Sequence, residues 1–279
     1  MFRHLIPALA GRFRVIAPDH LGFGRSSAPS VDDVGCTFAA LADMTGRFLA
    51  AIGVSRYAIY VQDYGAPVGW RLALADPAAV TGVITQNGNA YEEGFVPSFW
   101  DPIWADAAER TDATRDALRP ALGREAVEWQ YTHGVPDPSV VDPDAWEHDL
   151  ALLARPGQDD VQLALFRDYA TNRELYPAVH AWLRESRVPL LVIWGRNDEI
   201  FAAAGAEAFR RDAPHARIEA RRRRPLPARV APRPRGPDDR RVAGRHVRRA
   251  RISPPRPARS ARRSRSSRAS RRSWRSRAG

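Results

Sequence analysis

The sequence predicts an α/β protein in which a mostly parallel sheet carries helices on both faces, a helical cap interrupts the sheet, and an arginine-rich tail follows it. Three observations predict this class. Short, continuous apolar runs alternate with amphipathic stretches, the pattern of strands covered on both sides. A long tryptophan-rich segment lies between two of those runs. The composition changes abruptly near residue 220.

Residues 13–18 (FRVIAP), bounded by Gly11 and Asp19, read as a first buried strand. Residues 37–52 set Phe38, Leu41, Phe48, Leu49 and Ile52 on one helical face and stop at Gly53, which suits a C-cap. Residues 57–62 read as a second strand, 66–75 as a helix ended by Asp76-Pro77, and 80–86 as a third strand. A fourth strand over 189–195 (PLLVIWG) is followed by a helix over 203–212. From Asn89 to about Tyr176 the periodicity is helical without strands, and this stretch holds Trp100, Trp104, Trp129 and Trp146. A helical insertion of that length between two strands reads as a lid. The expected organisation is core over 1–89, cap over 90–176, core again over 177–219, and tail over 220–279. In the tail Arg, Pro, Ser and Ala dominate. Its apolar content is too low to offset the entropy of ordering, so disorder is expected there.

All 43 basic residues are arginine. Residues 1–219 hold 20 of them against 30 carboxylates, a charge of −10, whereas residues 220–279 hold 23 against two, a charge of +21. The formal total of +11 therefore describes neither part, and a uniformly cationic nucleic-acid binder is excluded. The apolar runs are too short to span a bilayer. The single Cys36 excludes an intrachain disulfide framework and fits a reducing cytosol. The start lacks the charged, apolar and cleavable regions of a signal peptide, so a cytoplasmic location is expected. With one cysteine and no paired histidine spacing, no metal is expected. Gly22-Phe23-Gly24 lacks the lysine of a phosphate-binding loop, and no cofactor is expected.

The most informative segment is Tyr60-Val61-Gln62-Asp63-Tyr64-Gly65-Ala66-Pro67-Val68-Gly69. A strand enters a tight turn and passes straight into a helix, which lifts one side chain above the sheet edge and asks for small neighbours. The pattern is Gly-x-nucleophile-x-Gly, with Val61 in the first glycine's place and Asp63 at the apex. The other reading of Asp63 is a cap for the helix that begins near Ala66.

Together with this turn, residues 17–26 (APDHLGFGRS), 86–89 (QNGN) and 194–199 (WGRNDE) follow in an order that resembles the α/β-hydrolase family, in the branch of epoxide hydrolases and haloalkane dehalogenases. The resemblance covers residues 1–219 and implies that Asp63 is a nucleophile and that Asp198 orients a histidine base. A carboxylate attacking saturated carbon forms an alkyl ester, where a serine would form an acyl-enzyme. The implied substrate is a small epoxide or alkyl halide, and water then attacks the ester with help from the base. Tyr64 occupies the place where dehalogenases usually carry a halide-holding tryptophan. Epoxide opening calls for an acidic O–H over the ring oxygen, and Tyr131 and Tyr169 of the cap are the candidates; each also reads as a buried aromatic with a satisfied hydroxyl. Epoxide hydrolysis is the leading expectation and dehalogenation the alternative.

Two departures from the family pattern bear on activity. The family has three strands and a His-Gly-x-Pro-like loop ahead of the segment matching residues 2–7, and one of those strands belongs between the strands read at Val15 and Ile59. Without it the sheet has a gap with unpaired backbone groups. After Arg217-Ile218-Glu219 the family continues with a Gly-His-Phe segment carrying the base, but here Ala220-Arg221-Arg222-Arg223-Arg224 follows. Reading GC-rich codons one base later permits Leu-Val-Asp-Ala-Gly-His-Phe at this point. The expectations are a truncated start, a frameshift near Ala220 and impaired turnover. From another class of function, the tail is expected to hold RNA, DNA or other polyanions without specificity, since Trp274 is its only aromatic residue for base stacking.

Overall fold

The computed structural model describes residues 2–221 apart from Asp32 and Val34. The arginine-rich tail from residue 222 onward, for which the sequence predicts disorder, lies outside the described residues. In chain order the elements are α1 (Leu5–Ala10), α2 (Phe38–Ala51), β1 (Tyr57–Gln62), α3 (Gly65–Ala75) and β2 (Val80–Gln86). The cap helices α4 (Pro97–Glu109), α5 (Asp112–Asp116), α6 (Arg124–Thr132), α7 (Asp144–Leu153) and α8 (Gln158–Asp168) follow. The chain then returns through α9 (Ala170–Ser186), β3 (Leu190–Gly195), α10 (Ala203–Asp212) and β4 (Arg217–Arg221).

The strands lie in the order β1-β2-β3-β4 and every pairing is parallel. All carboxyl ends therefore open on one side of the sheet, where ligands bind in open α/β architectures. In register, Ile59, Val83 and Leu190 form one row and Val61, Thr85, Val192 and Ile218 the next. These rows face α3 and α10, and all but Ile218 are buried. On the opposite face Tyr60, Ile84, Leu191 and Ile193 are only half-buried. Phe2, just ahead of α1, sets its ring edge-on to Tyr60 at 5.6 Å.

Residues 13–18 form no strand, and Phe13 is 45 % exposed. The segment has strand-like side chains but no ladder partner: β1 is the edge of the sheet among the described residues, and an extended chain becomes a strand only by pairing its backbone groups. Helix α2 begins as expected, with the Thr37 side chain accepting from the Ala40 N–H at 3.1 Å and with Phe38 and Leu41 buried. Phe48, expected on the same buried face, is 40 % exposed. The burial comes from packing on α3 near the start of α2 and does not extend to its end.

The cap is tied to itself by a buried ion pair. Asp106 on α4, fully buried, receives the Arg167 guanidinium of α8 through Nε at 2.9 Å and Nη2 at 2.7 Å, and the Thr114 hydroxyl at 3.0 Å. Burial opposes the Asp106 charge, but hydrogen bonds from Arg167 and Thr114 outweigh it and hold the carboxyl below its ordinary value. Arg155, after α7, reaches the core and donates to the carbonyls of Gly22 and Gly24 at 3.0 and 2.9 Å. Helix α9 runs unbroken through residues 176 and 177, where the sequence suggests the cap ends.

Candidate active site

The backbone at Asp63 carries the geometry first. Strand β1 ends at Gln62, Asp63 adopts a φ of +47°, and α3 starts at Gly65. A left-handed conformation at a residue with a side chain costs of order 1 kcal/mol and recurs where function requires it. The N-cap position of α3 is Tyr64, which makes no side-chain capping bond. Close approach of helix and sheet is provided elsewhere than at Gly65, which has open space around a Cβ. A Cβ on Gly69 would lie 2.5 Å from Val61 Cγ1, and one on Gly88 would lie 2.8 Å from Ala66 Cβ. Val61, standing where the pattern has glycine, thus fills the room that Gly69 leaves.

Beside Asp63 stands a wall of aromatic rings. Tyr64 meets Phe38 edge-on at 5.1 Å and Tyr169 at 6.1 Å. Tyr169, at the junction of α8 and α9, lies 4.4 Å from Trp100 and 5.4 Å from Phe38, centroid to centroid. Phe95, Trp104 and Phe201 complete its surroundings. Tyr169 is fully buried, yet its hydroxyl closes no hydrogen bond among the described residues. Burial, above all, pushes the Tyr64 and Tyr169 phenols well above their ordinary value, and the Asp63 charge adds to both. Both therefore keep their protons at neutral pH. Tyr131 sits elsewhere: its hydroxyl donates to Asp149, and its ring packs with Trp146 in a smaller cluster that includes Val127 and Val141.

Asp198 follows the carboxyl end of β3. Its Oδ1 accepts the N–H groups of Ile200 at 2.8 Å and Phe201 at 3.0 Å, while the Asn87 amide donates to Oδ2. Asn87 follows β2 with a φ of +46° and accepts the Gly195 N–H at 3.3 Å, so one side chain stitches the ends of β2 and β3 together. The loop after Asp198 is fixed in turn. Ala202 N–H donates to Gly94 O at 2.8 Å, and the Trp100 indole donates to Ile200 O at 2.8 Å. Parallel pairing thus brings Asp63, Asn87 and Asp198 to one edge of the sheet, with Tyr64 and Tyr169 beside Asp63. Asn87 was not singled out as a site residue by its sequence pattern; the signal was an asparagine ahead of Gly88 at a strand end.

His20, His133, His180 and His215 bond neither Asp63 nor Asp198, though His133 bonds Glu199, the residue after Asp198. His20 contacts Thr45 Oγ1 at 3.3 Å, His133 meets Glu199 at 2.8 Å, and His180 and His215 bond the carbonyls of Ala90 and Val188 at 2.8 and 2.9 Å. Among the described residues no helix is long and apolar enough to cross a membrane.

Comparison with known proteins agrees with this geometry at the level of fold. The family described as alpha/beta hydrolase fold matches residues 1–229. An uncharacterised hydrolase of Saccharomyces cerevisiae, YNR064C, is 46% identical over 221 residues, covering 78% of this chain and 76% of its own. A haloalkane dehalogenase of Mycobacterium marinum is 27% identical over 233 residues, covering 79% and 73%. The solved structure of the epoxide hydrolase CorEH superposes with a TM-score of 0.60, covering 80% of this chain and 79% of that one at 17% identity.

Proposed function

The chain belongs to the α/β-hydrolase fold family, and from that premise we propose that its Asp63 carboxylate attacks a saturated carbon, with epoxides as the leading substrate class. In this reading Asp63 Oδ bonds to an epoxide carbon, the carbon–oxygen bond opens, and the Tyr169 phenol gives its proton to the departing oxygen. The observation that carries the reading is the unpaired, buried Tyr169 hydroxyl beside a carboxylate held at a left-handed apex. A donor left without a partner in an apolar wall is costly unless something else occupies it, and a ring oxygen is a fitting acceptor. Tyr131 is set aside because its hydroxyl already donates to Asp149. An alkyl halide would use the same nucleophile without needing the proton, which keeps dehalogenation as the alternative; a relative's name supports it.

The second half of the cycle needs a base near Asp198. After Glu219 the chain reads Ala220-Arg221-Arg222-Arg223-Arg224-Pro225-Leu226-Pro227 and carries no Gly-His-Phe, and we hold that turnover therefore stalls at the ester, the result of a frameshift near Ala220. The test is intact-mass and peptide-mapping spectrometry of the full chain after exposure to styrene oxide. A stable adduct of the epoxide's mass on Asp63, absent in Asp63→Asn, is expected. An unmodified Asp63 would overturn the nucleophile assignment, and rapid diol release would overturn the stall.

A reading from another class is favoured by the +21 charge of residues 220–279: retention of polyanions. Binding to duplex DNA that weakens steeply between low and moderate salt, with no sequence preference, is expected. Sequence preference at moderate salt would reject the nonspecific character.

A further inference from the structure

Arg71 lies on α3, the helix that starts two residues after Asp63, and its guanidinium joins that helix to α9, which starts directly after Tyr169. Nη1 donates to the Pro67 carbonyl in the first turn of α3 at 3.2 Å and to Asn172 Oδ1 in the first turn of α9 at 2.6 Å. Nη2 donates to Thr171 Oγ1 at 3.0 Å, and the Thr171 hydroxyl gives its own hydrogen to Asp168 O at 2.8 Å, on the other side of Tyr169 in the chain. Asn172 is 1 % exposed, and its Nδ2 has no partner among the described residues. A guanidinium only donates, so the amide oxygen must face Arg71. A buried amide with one end unpaired costs stability, which leaves the bond to Arg71 as the contact that orients it. A third element joins the first two. Asp168 Oδ2 accepts the Phe38 N–H at the start of α2 at 2.7 Å. The Phe38 ring meets both Tyr64 and Tyr169 edge-on, and the Arg71 guanidinium lies 5.9 Å from its centre.

We propose that Arg71 is a positioning residue for ring opening: by gripping the first turns of α3 and α9 at once, it sets the spacing between the Asp63 carboxylate and the Tyr169 phenol. The inference rests on the epoxide-opening reading above. In that step the Asp63 Oδ–carbon bond forms, the ring carbon–oxygen bond breaks and the Tyr169 proton moves to the released oxygen. Two groups from different elements must therefore meet one three-membered ring, and a small error in their spacing is costly in rate. Each group is followed by a helix, and a helix moves as a unit, so tying the two first turns together fixes the residues that precede them. The role is indirect, since Arg71 bonds the chain neighbours of Tyr169 and the helix that Asp63 feeds. Arginine suits it because a planar fork serves several acceptors in fixed directions, whereas lysine is a flexible point charge.

The experiment reads the rate of Asp63 ester formation on the full chain from styrene oxide over a range of concentrations, or diol release if the ester turns over. Arg71→Met, which keeps the reach and removes the donors, is expected to lower the maximal rate about tenfold with the half-saturating concentration unchanged. In a Tyr169→Phe background, where no phenol remains to be placed, it is expected to change the rate by less than about twofold. With (2-bromoethyl)benzene, whose bromide leaves without a proton, the change is likewise expected to stay below about twofold. Arg71→Lys, which keeps the charge without the fork, is expected to lose at least about threefold with the epoxide, and it carries the test should circular dichroism show the methionine variant unfolded. An equal loss with the bromide, a loss that persists in the Tyr169→Phe background, or full activity in either Arg71 variant would each overturn the inference. Absence of any Asp63 adduct in the unmutated chain, or a Tyr169→Phe chain as fast as its parent with the epoxide, would instead remove the underlying reading and the inference with it.

Discussion

Asp63 holds a backbone conformation, φ +47°, that glycine adopts without penalty. Asp63→Gly is expected to raise stability by about 1 kcal/mol, read from denaturant unfolding, while abolishing adduct formation. A loss of stability would mean that the side chain supports the turn through its own contacts. The turn positions of Asp63 and Asp198 were legible in the sequence because each follows a short buried strand, a local pattern; the roles proposed for them come from the family resemblance. The tie made by Asn87 was not legible, since it depends on Asp198 and Gly195 far along the chain. The choice between Tyr131 and Tyr169 was open for the same reason. Both are cap tyrosines, and only helix packing sends one to Asp149 and the other to the aromatic wall.

The elements that the sequence located best are those with both a burial pattern and a stop signal. The expected spans of 80–86 and 203–212 coincide with β2 and α10. Residues 13–18 satisfy the same local rules and still form no strand, because pairing is a property of two segments. In the cap, helical periodicity was readable, but the Asp106–Arg167 pair between α4 and α8 was not. That pair sets a pH response. The Asp106 carboxyl lies below its ordinary value of 3.8 in the folded chain, so its contribution to stability is complete above that value and is lost as pH falls through the folded one. Unfolding of the full chain at pH 7 and pH 3 is expected to show this acid loss, and Asp106→Asn to diminish it. Asp106→Ala, which strands Arg167, is expected to cost about 3–5 kcal/mol at pH 7.

At the scale of the molecule, the parallel sheet, its helical flanks and the interrupting cap were all predictable from the alternation of apolar runs, and so was the seam in charge near residue 220. The unequal finish of the sheet was less visible. One face is sealed by α3 and α10, the other holds Tyr60, Ile84, Leu191 and Ile193 half-open, and β1 stands at the end of the strand order among the described residues. Among the described residues β1 pairs along the sheet with β2 alone, and an edge strand is a place where a further strand can add. It invites another chain to dock alongside, so colloidal behaviour comes under strain before chemistry does. Light scattering is expected to report particle growth with rising concentration, and Ala58→Lys, which sets a charge on the exposed face of the edge strand β1, to suppress it. Should the charged variant cluster as readily as its parent, the adhesive surface lies on some other part of the molecule.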